Sequence, residues 1–506
     1  MTPTNENRSC TNHVLAERKG IALMEGTKKA EPEAAQRVLL ISPKTSFGPK
    51  LQRTYAGGLG TVNPGERNLL PPLDLLRIAG VLRAAGSVPH IVDEEVDGVL
   101  PPAAYTREGR AEADIVICQV SLAAMHEDIR KLAEFAAAGL RTFAYTSIRR
   151  HDQWQEILTT SGCAGLLLPE AIPDLGRLVG AGATGDSRNP GLITAETAGD
   201  LARLPQIYGD LAGEPLPARD LVDHRHYVFP ALPGHRVTTM NASFGCPYPC
   251  SFYCPYPLGE GKKVRAYPVE RIAAEFEQCA QLGITAVVFR DPVFTFDRRR
   301  TLSLCEAIKR TGTGIRWWCE TRIDRLDEEL IRVMVDAGCA GVEVGVESGD
   351  AGMHDSAVRK RLSLDTVRAF HHTAHQTGLK MLFLLLFGLP GETRRSIANT
   401  LEFILELGLS SEEFNVGVIT PYPGTPLHDL ALSKGWIRGD QDQFTSFNVV
   451  MRTDELTENE LAEALALTEE LHRIDGGRAP ADTLAGYRHR VLNWAGTKPS
   501  PGGHRA

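Results

Sequence analysis

The 506-residue chain carries a net charge of −8, with 42% apolar and 23% charged residues, the balance of a globular chain rather than a disordered one. It shows none of the basic character that a nucleic-acid binder uses to neutralise phosphates, although a local basic pocket could still take a small acidic substrate. Its longest apolar run, Met381–Leu389, falls far short of the ~20 residues of a membrane-spanning helix. The start, MTPTNENRSC, lacks the apolar core of a secretory signal. The expectation is a cytoplasmic protein with no nucleic-acid and no membrane partner.

Residues 1–35 are polar and without sustained periodicity, as in a disordered arm. Residues 36–175 alternate buried strands with helices. RVLLIS runs up to Pro43, and a Gly-rich loop (Gly57, Gly58, Leu59, Gly60) precedes a helix that opens after Pro71 and Pro72 with Leu73 and ends at Gly86. Strands follow at HIVDE, DIVICQVSL, RTFAYTSI and CAGLLLPE, with a helix near 126–139. Such alternation predicts an open parallel sheet with helices on both faces and ligands beyond the carboxyl ends of its strands. Residues 176–234, rich in Gly, Pro and Asp, are expected to be a linker with 216–227 pinned to a domain surface.

A second alternation starts at Arg236. Six strands (RVTTMNAS, ITAVVFR, IRWWCE, GVEVGVE, KMLFLLLFG, EFNVGVI) alternate with helices at 3.6-residue spacing. A closed eightfold barrel typically takes ~250 residues, so 235–430 is expected to be a partial, open barrel. Residues 431–506 are expected to be helical, with one amphipathic helix over 456–472 and a disordered tail from Gly496.

Three of the ten cysteines, Cys246, Cys250 and Cys254, fall within nine residues. Disulfides are uncommon in a reducing compartment, and the scattered cysteines suit small buried apolar positions. Three thiolates on one loop can hold three irons of a cubane cluster that four cysteines would saturate. The fourth iron is then open to chelate S-adenosylmethionine (SAM) and pass one electron to its sulfonium. The competing use is zinc, which prefers four ligands, and neither a second cysteine pair nor a nearby histidine completes such a set. His371 and His375 are four apart but lack the Glu of a zinc-protease helix, so a polar helix face is expected. His224 and His226 are expected at the surface.

The cysteine loop after the first barrel strand resembles the radical SAM superfamily, with one departure: the chain has C-x3-C-x3-C where the family has C-x3-C-x2-C. Further residues extend the resemblance at the carboxyl ends of predicted strands, where barrel active sites form. Asp291 closes the second strand, as a residue near the SAM amino group. Glu320 and Arg322 end the third. Glu347 closes the fourth at a ribose-contacting position. FGLPGET, with Gly388 and Pro390, follows the fifth, and TPYPGTPL, with Tyr422, the sixth. With Tyr253 these make up the SAM-side set that the resemblance implies. The 36–175 region resembles the cobalamin-binding Rossmann-like domain that precedes many such barrels, which implies corrin contacts from Gly57, Gly58, Pro72, Leu73, Gln119 and Ser121. No D-x-H-x-x-G is present, so no histidine of that motif would ligate cobalt. An empty Rossmann-like domain is the alternative.

The resemblance as a whole is to cobalamin-dependent radical SAM methyltransferases. It implies a [4Fe–4S] cluster, SAM and cobalamin as cofactors. It also implies a 5′-deoxyadenosyl radical that activates the substrate, methyl transfer from methylcobalamin, and an electron donor such as flavodoxin or ferredoxin. The cysteine spacing is similar to that of the phosphinate P-methyltransferases of antibiotic biosynthesis. An unactivated carbon of a small secondary metabolite is an equal expectation. A non-methylating cyclisation or oxidative rearrangement and a non-catalytic cobalamin-binding module are the alternatives. A methylthiotransferase acting on tRNA is disfavoured by the lack of a further cysteine triad and of a basic C-terminal module.

Overall fold

The computed structural model describes residues 35–47, 51–62, 68–99, 101–107, 110–111, 113–179, 189, 191–199 and 211–496. The expected N-terminal arm, except residue 35, and the expected tail beyond Gly496 lie outside the described residues.

The first sheet contains β1 (Arg37–Ser42), β2 (Val88–Asp93), β3 (Ile115–Gln119), β4 (Arg141–Tyr145), β5 (Gly165–Leu167) and β6 (Leu192–Ile193) in the spatial order β6-β5-β4-β3-β1-β2. All pairings are parallel except β6 on β5. Strands buried on both faces, such as VLLI and IVIC, need helices on both sides. Leu73–Ala84 packs on one side, while Met125–Ala137 and His151–Ser161 pack on the other. The chain order 2-1-3-4-5 reverses between β1 and β3, and doubly wound sheets bind ligands at such a reversal.

The second sheet runs in chain order, all parallel: β7 (Val237–Met240), β10 (Ala286–Phe289), β11 (Arg316–Thr321), β12 (Cys339–Glu347), β13 (Lys380–Phe387) and β14 (Phe414–Val418). Between β7 and β10 a small antiparallel hairpin, β8 (Ser243–Phe244) with β9 (Arg265–Ala266), carries the cysteine loop. Side chains alternate across a strand. Val287, Phe289, Trp317 and Cys319 therefore pack outward under the helices, while Ala286, Val288, Trp318 and Ala340 face the barrel interior. The sheet has six strands and stays open, as expected.

Three features differ from the sequence expectations. Helix His151–Ser161 was not foreseen, because only Trp154, Ile157 and Leu158 mark its apolar stripe. The region expected to be helical holds, beyond the expected amphipathic helix, a second helix Ala481–Gly496, whose bounds were not read because it buries only Tyr487 and Val491. The described part of the stretch expected as linker is packed structure beyond the 216–227 segment expected to be pinned. Leu192 and Ile193 extend the first sheet, and Phe229 and Leu232 fill the base of the barrel. Arg219, fully buried, pairs with Glu275. His224, expected at the surface, is buried between the carbonyls of Arg219 and Val237.

The two halves meet through segments flanking the sheets. Val228 pairs with Leu69, the Tyr227 hydroxyl donates to Asp93 at 3.0 Å, and the Thr239 hydroxyl donates to the Pro71 carbonyl at 3.2 Å.

Candidate functional site

The cysteine loop is held from both ends. Upstream, buried Asp291 at the end of β10 accepts the Ala242 N–H at 2.9 Å and the Ser243 hydroxyl at 2.6 Å. Burial pushes its carboxyl up to about 6. Both oxygens are spent on the loop, so its shown contacts brace β8. Downstream, the Gly245 N–H donates to Glu260 at 2.9 Å and the Cys246 N–H to the Gly261 carbonyl at 3.0 Å. Gly245 has φ 88, and a Cβ there would overlap the Lys263 carbonyl. Burial pushes the Glu260 carboxyl up to about 8.

Between those anchors a single turn at Pro249–Phe252 sets the sulfurs. The N–H groups of Tyr253 and Cys254 both donate to the Cys250 carbonyl, at 3.1 and 3.0 Å. A hydrogen bond from the Cys254 thiol, with Lys360 and Arg322 nearby, draws the Cys250 thiol below its ordinary value, and the same bond holds the proton on Cys254. Burial pushes Cys246 up to about 11. Behind the loop, Tyr253, Leu389, Ile419, Leu427 and Trp436 form an apolar wall. Among the described residues, no three His, Cys, Asp or Glu side chains converge so as to hold one metal ion. The three thiols differ from such a site in what they would hold, since in a cubane each cysteine binds a different iron. Soft sulfur donors, local cations and an apolar wall suit an anionic iron–sulfur cluster.

The other expected SAM-side residues lie around this loop in two groups. Glu347, with φ 69 at a bulge in β12, pairs with Lys360, whose ammonium also donates to the Gly345 carbonyl at 3.0 Å. A non-glycine residue in the left-handed region is uncommon and costs of order 1 kcal/mol or more. Arg322 donates to Asp324 and to the Lys360 carbonyl, and Tyr253 to the Val358 carbonyl at 3.4 Å. Glu320 belongs to a second group, whose other members (Arg290, Glu343, Tyr55 and Tyr256) sequence reasoning missed. It pairs with the fully buried Arg290 and accepts the Tyr256 hydroxyl at 2.8 Å. Arg290 stacks 3.5 Å from the ring centre of Tyr55, which comes from the N-terminal half, and the Tyr55 hydroxyl donates to Glu343 at 3.3 Å. Burial pushes the Glu343 carboxyl up to about 7. Charged residues on successive inward positions of barrel strands (290, 320, 343) were the available signal.

Gly388, φ 89, donates its N–H to buried Glu392, and Pro390 is half-buried beside them. Tyr422 shares a hydrogen bond of 2.8 Å with Ser446 and packs against the core of the N-terminal half, away from the cysteine wall.

On the N-terminal side, the expected corrin contacts divide. Gly57, Gly58 and Leu73 line a cleft, together with Tyr145 and Ser147 on that side and Asn241, Phe244, Gly259, Glu260 and Arg265 on the barrel side. Gly57 and Gly58 (φ 69 and 87) are required there by close packing. A Cβ on Gly57 would lie 2.9 Å from the Tyr256 carbonyl, and one on Gly58 would overlap the Ser147 hydroxyl. Pro72 lines a neighbouring, smaller cleft at the ends of β1 and β2, with Ser42, Arg53 and Asp93. Gln119, at the end of β3, is buried with its side-chain oxygen lacking a hydrogen-bond partner. Ser121 is instead engaged in a buried network, accepting from Arg53 at 2.8 Å and hydrogen-bonding Asp128.

Comparison with known proteins agrees with this geometry. Residues 240–404 match the Radical SAM superfamily. An uncharacterised methyltransferase of Pyrococcus horikoshii is 29% identical over 256 residues, 50% of this chain and 54% of the relative. A cytidylyl-2-hydroxyethylphosphonate methyltransferase of Streptomyces wedmorensis is 24% identical, over 43% of this chain and 42% of the relative. An anaerobic magnesium-protoporphyrin IX monomethyl ester cyclase of Rubrivivax gelatinosus is 21% identical, over 77% and 71%. The chain thus spans about half the length of the first two relatives. Among solved structures, TsrM of Kitasatospora setae, with cobalamin and a [4Fe–4S] cluster bound, aligns with TM-score 0.60 at 17% identity over 80% of this chain and 79% of that one. OxsB, a cobalamin-dependent SAM radical enzyme, aligns with TM-score 0.62 at 12% identity over 91% and 72%. No helix among the described residues is long and apolar enough to cross a membrane. Residues 240–404 thus match the Radical SAM superfamily, and the two-sheet fold is similar to that of TsrM and OxsB.

Proposed function

We propose that this chain is a cobalamin-dependent radical SAM methyltransferase acting on a small molecule, with Cys246, Cys250 and Cys254 as cluster ligands. One observation carries the reading: a single cleft is lined by both halves of the chain, and its wall residue Glu260 holds the Gly245 N–H, one residue before the first cysteine. When bound, the cluster and SAM supply one-electron bond cleavage and the corrin supplies a methyl group.

The chain's own residues bind, orient and exclude water. Lys360 and Arg322 stabilise negative charge at the Cys250 sulfur. The wall of Leu389, Ile419 and Trp436 keeps water from it. Glu347, Tyr253 and the Gly388–Pro390 turn, which lie around the loop, are proposed to seat SAM. Gly57, Gly58, Leu73 and Gln119 are proposed to seat the corrin, Gly57 and Gly58 through a backbone that no Cβ obstructs and Gln119 through its unpaired amide oxygen. Pro72 and Ser121 support that loop and strand edge from behind. The Arg290, Glu320, Glu343 and Tyr55 group is placed to meet a polar substrate in the barrel mouth.

The substrate is proposed to be a small metabolite methylated at carbon or at phosphinate phosphorus, and the compartment a reducing cytoplasm in which a protein donor supplies electrons. The relative named as a cyclase keeps a non-methylating reaction as the second reading. The test is anaerobic reconstitution with iron, sulfide and cobalamin, followed by turnover of candidate metabolites with SAM labelled in its methyl group. Label in the product is expected. SAM cleavage with an unlabelled, rearranged product would overturn methyl transfer in favour of the second reading.

A further inference from the structure

We infer that the imidazoles of His371 and His375 form a two-nitrogen chelate for one borderline transition-metal dication, such as zinc or nickel, at the end of the barrel sheet opposite the cysteine loop. The inference is independent of the cluster proposed above. Both residues lie on helix Leu364–Thr377, four apart, so both rings leave the same helix face. Their Nε2 atoms are 3.0 Å apart, with the ring planes at 80°. Two imidazoles on one zinc-type ion, with bonds of about 2.0–2.1 Å at angles of roughly 90° to 110°, hold their nitrogens about 2.9–3.4 Å apart. The observed separation falls in that interval.

The surroundings hold the pair in place. The helix is capped at one end by the Ser363 side chain, which accepts the Thr366 N–H, and at the other by Gly378 in the left-handed conformation. The ring of His371 is tilted against Phe383 of β13, with centres 6.2 Å apart. Glu413, the residue before β14, brings Oε1 to 4.0 Å from His375 Nε2. Its Oε2 is already taken, accepting the Ser410 N–H and hydroxyl at 2.9 Å each and Arg478 at 2.7 Å. Oε1 is therefore placed to accept from a water on the ion, a supporting role that carboxylates often fill at metal sites. Among the described residues no three side chains converge on one ion, so the chain supplies two nitrogens and water the remaining positions.

Chemistry selects the ligand. Imidazole nitrogen suits zinc, copper and nickel, whereas magnesium and calcium take oxygen. In the free pair one Nε2 donates its proton to the other. On binding, that proton moves to Nδ1 of the same ring and both Nε2 lone pairs bond the metal, with no change of oxidation state. The Glu missing from the zinc-protease pattern removes a general base and leaves both nitrogen ligands in place. The helix leads into β13 and Glu413 into β14, so the ion ties the helix to the amino ends of those strands. Barrel reactions run at the carboxyl ends, and the site is structural.

The test titrates the full chain anaerobically with Co(II). Ligation by imidazole and water gives only weak visible bands, whereas ligation by the thiols of the cysteine loop adds intense near-ultraviolet absorption, which separates the two. The parent is expected to bind one Co(II) with bands of the imidazole kind. His371→Gln and His375→Gln should each weaken that phase by about 100-fold, because each breaks the chelate. His372→Gln, which changes the neighbouring exposed ring paired with Gln376, should leave it unchanged. Zinc should raise the melting temperature of the parent and of His372→Gln by more than that of the other two variants. Equal Co(II) affinity in the parent, His371→Gln and His375→Gln would mean an adventitious ion only and would overturn the site. So would thiolate bands alone in the parent, or an equal loss in His372→Gln.

Discussion

The backbone N–H of Cys254 donates to the carbonyl of Cys250 at 3.0 Å. That one bond accounts for the longer cysteine spacing: four residues apart on a single turn, the two thiols come close enough to share a proton. The additional residue is absorbed by the turn and leaves three sulfurs on one loop.

Cys246, Cys250 and Cys254 should therefore be equivalent in their effect. Replacing any one with Ala should abolish the visible absorption of the reconstituted cluster and lower SAM cleavage by at least about 100-fold, ~2.7 kcal/mol. Alanine at Cys305 or Cys319, buried under the barrel helices, should leave the absorption intact. Anaerobic spectra with iron and sulfide analysis would check both.

Gly259 is expected to be intolerant of a side chain. A Cβ there would overlap the Gly57 carbonyl, where the N-terminal loop meets the helix after the cysteine loop. Gly259→Ala should cost about 1–3 kcal/mol through overpacking and weaken corrin uptake as the cleft is forced open. Urea unfolding and cobalamin titration would measure the two effects.

Glu260→Ala should strand the Gly245 N–H and cost about 1–3 kcal/mol, whereas Glu260→Gln keeps an acceptor and should lose far less. Electron paramagnetic resonance of the reduced cluster is the sharper measure. The alanine variant should broaden or shift the signal, and the glutamine variant should retain the parent spectrum.

Stability should fall as pH rises through neutrality because of Glu392. It is fully buried, and burial raises its carboxyl to about 8 despite N–H donation from Gly388 and Leu389. The folded value exceeds the unfolded one of about 4.3, so the folded chain binds the proton more tightly. That contribution is complete below the unfolded value and is lost as pH climbs through 8. Glu392→Gln keeps the acceptor and does not titrate. Its melting temperature relative to the parent should rise steadily from pH 5.5 to 8.5, by about 2–4 °C per kcal/mol involved.

All strands of both sheets but the two-residue β6 were legible because each lies in an apolar run bounded by Gly, Pro or charge, and periodicity survives without tertiary information. Helix His151–Ser161 was not, and the bounds of Ala481–Gly496 were not, because each buries only a narrow stripe that vanishes among polar neighbours. Of the site, the three cysteines could be read from spacing alone, since they lie on one short loop. Lys360, Arg290, Tyr55 and Glu260 could not, because their roles come from partners 13, 30, 288 and 15 residues away. Asp291 shows the converse. Its place at a strand end was evident, but only the fold shows both its oxygens spent on Ala242 and Ser243.

Taken alone, the sequence determined the alternating strands and helices and the three clustered sulfurs, because local periodicity and short-range spacing are properties of contiguous residues. The tertiary structure decided which face of each strand looks into the barrel, which cations stand beside the sulfurs, and that the Gly57 loop of one half closes on the Gly259 helix of the other. Those are contacts between distant segments, set by packing density and by the need to pair buried charge, and no local pattern encodes them.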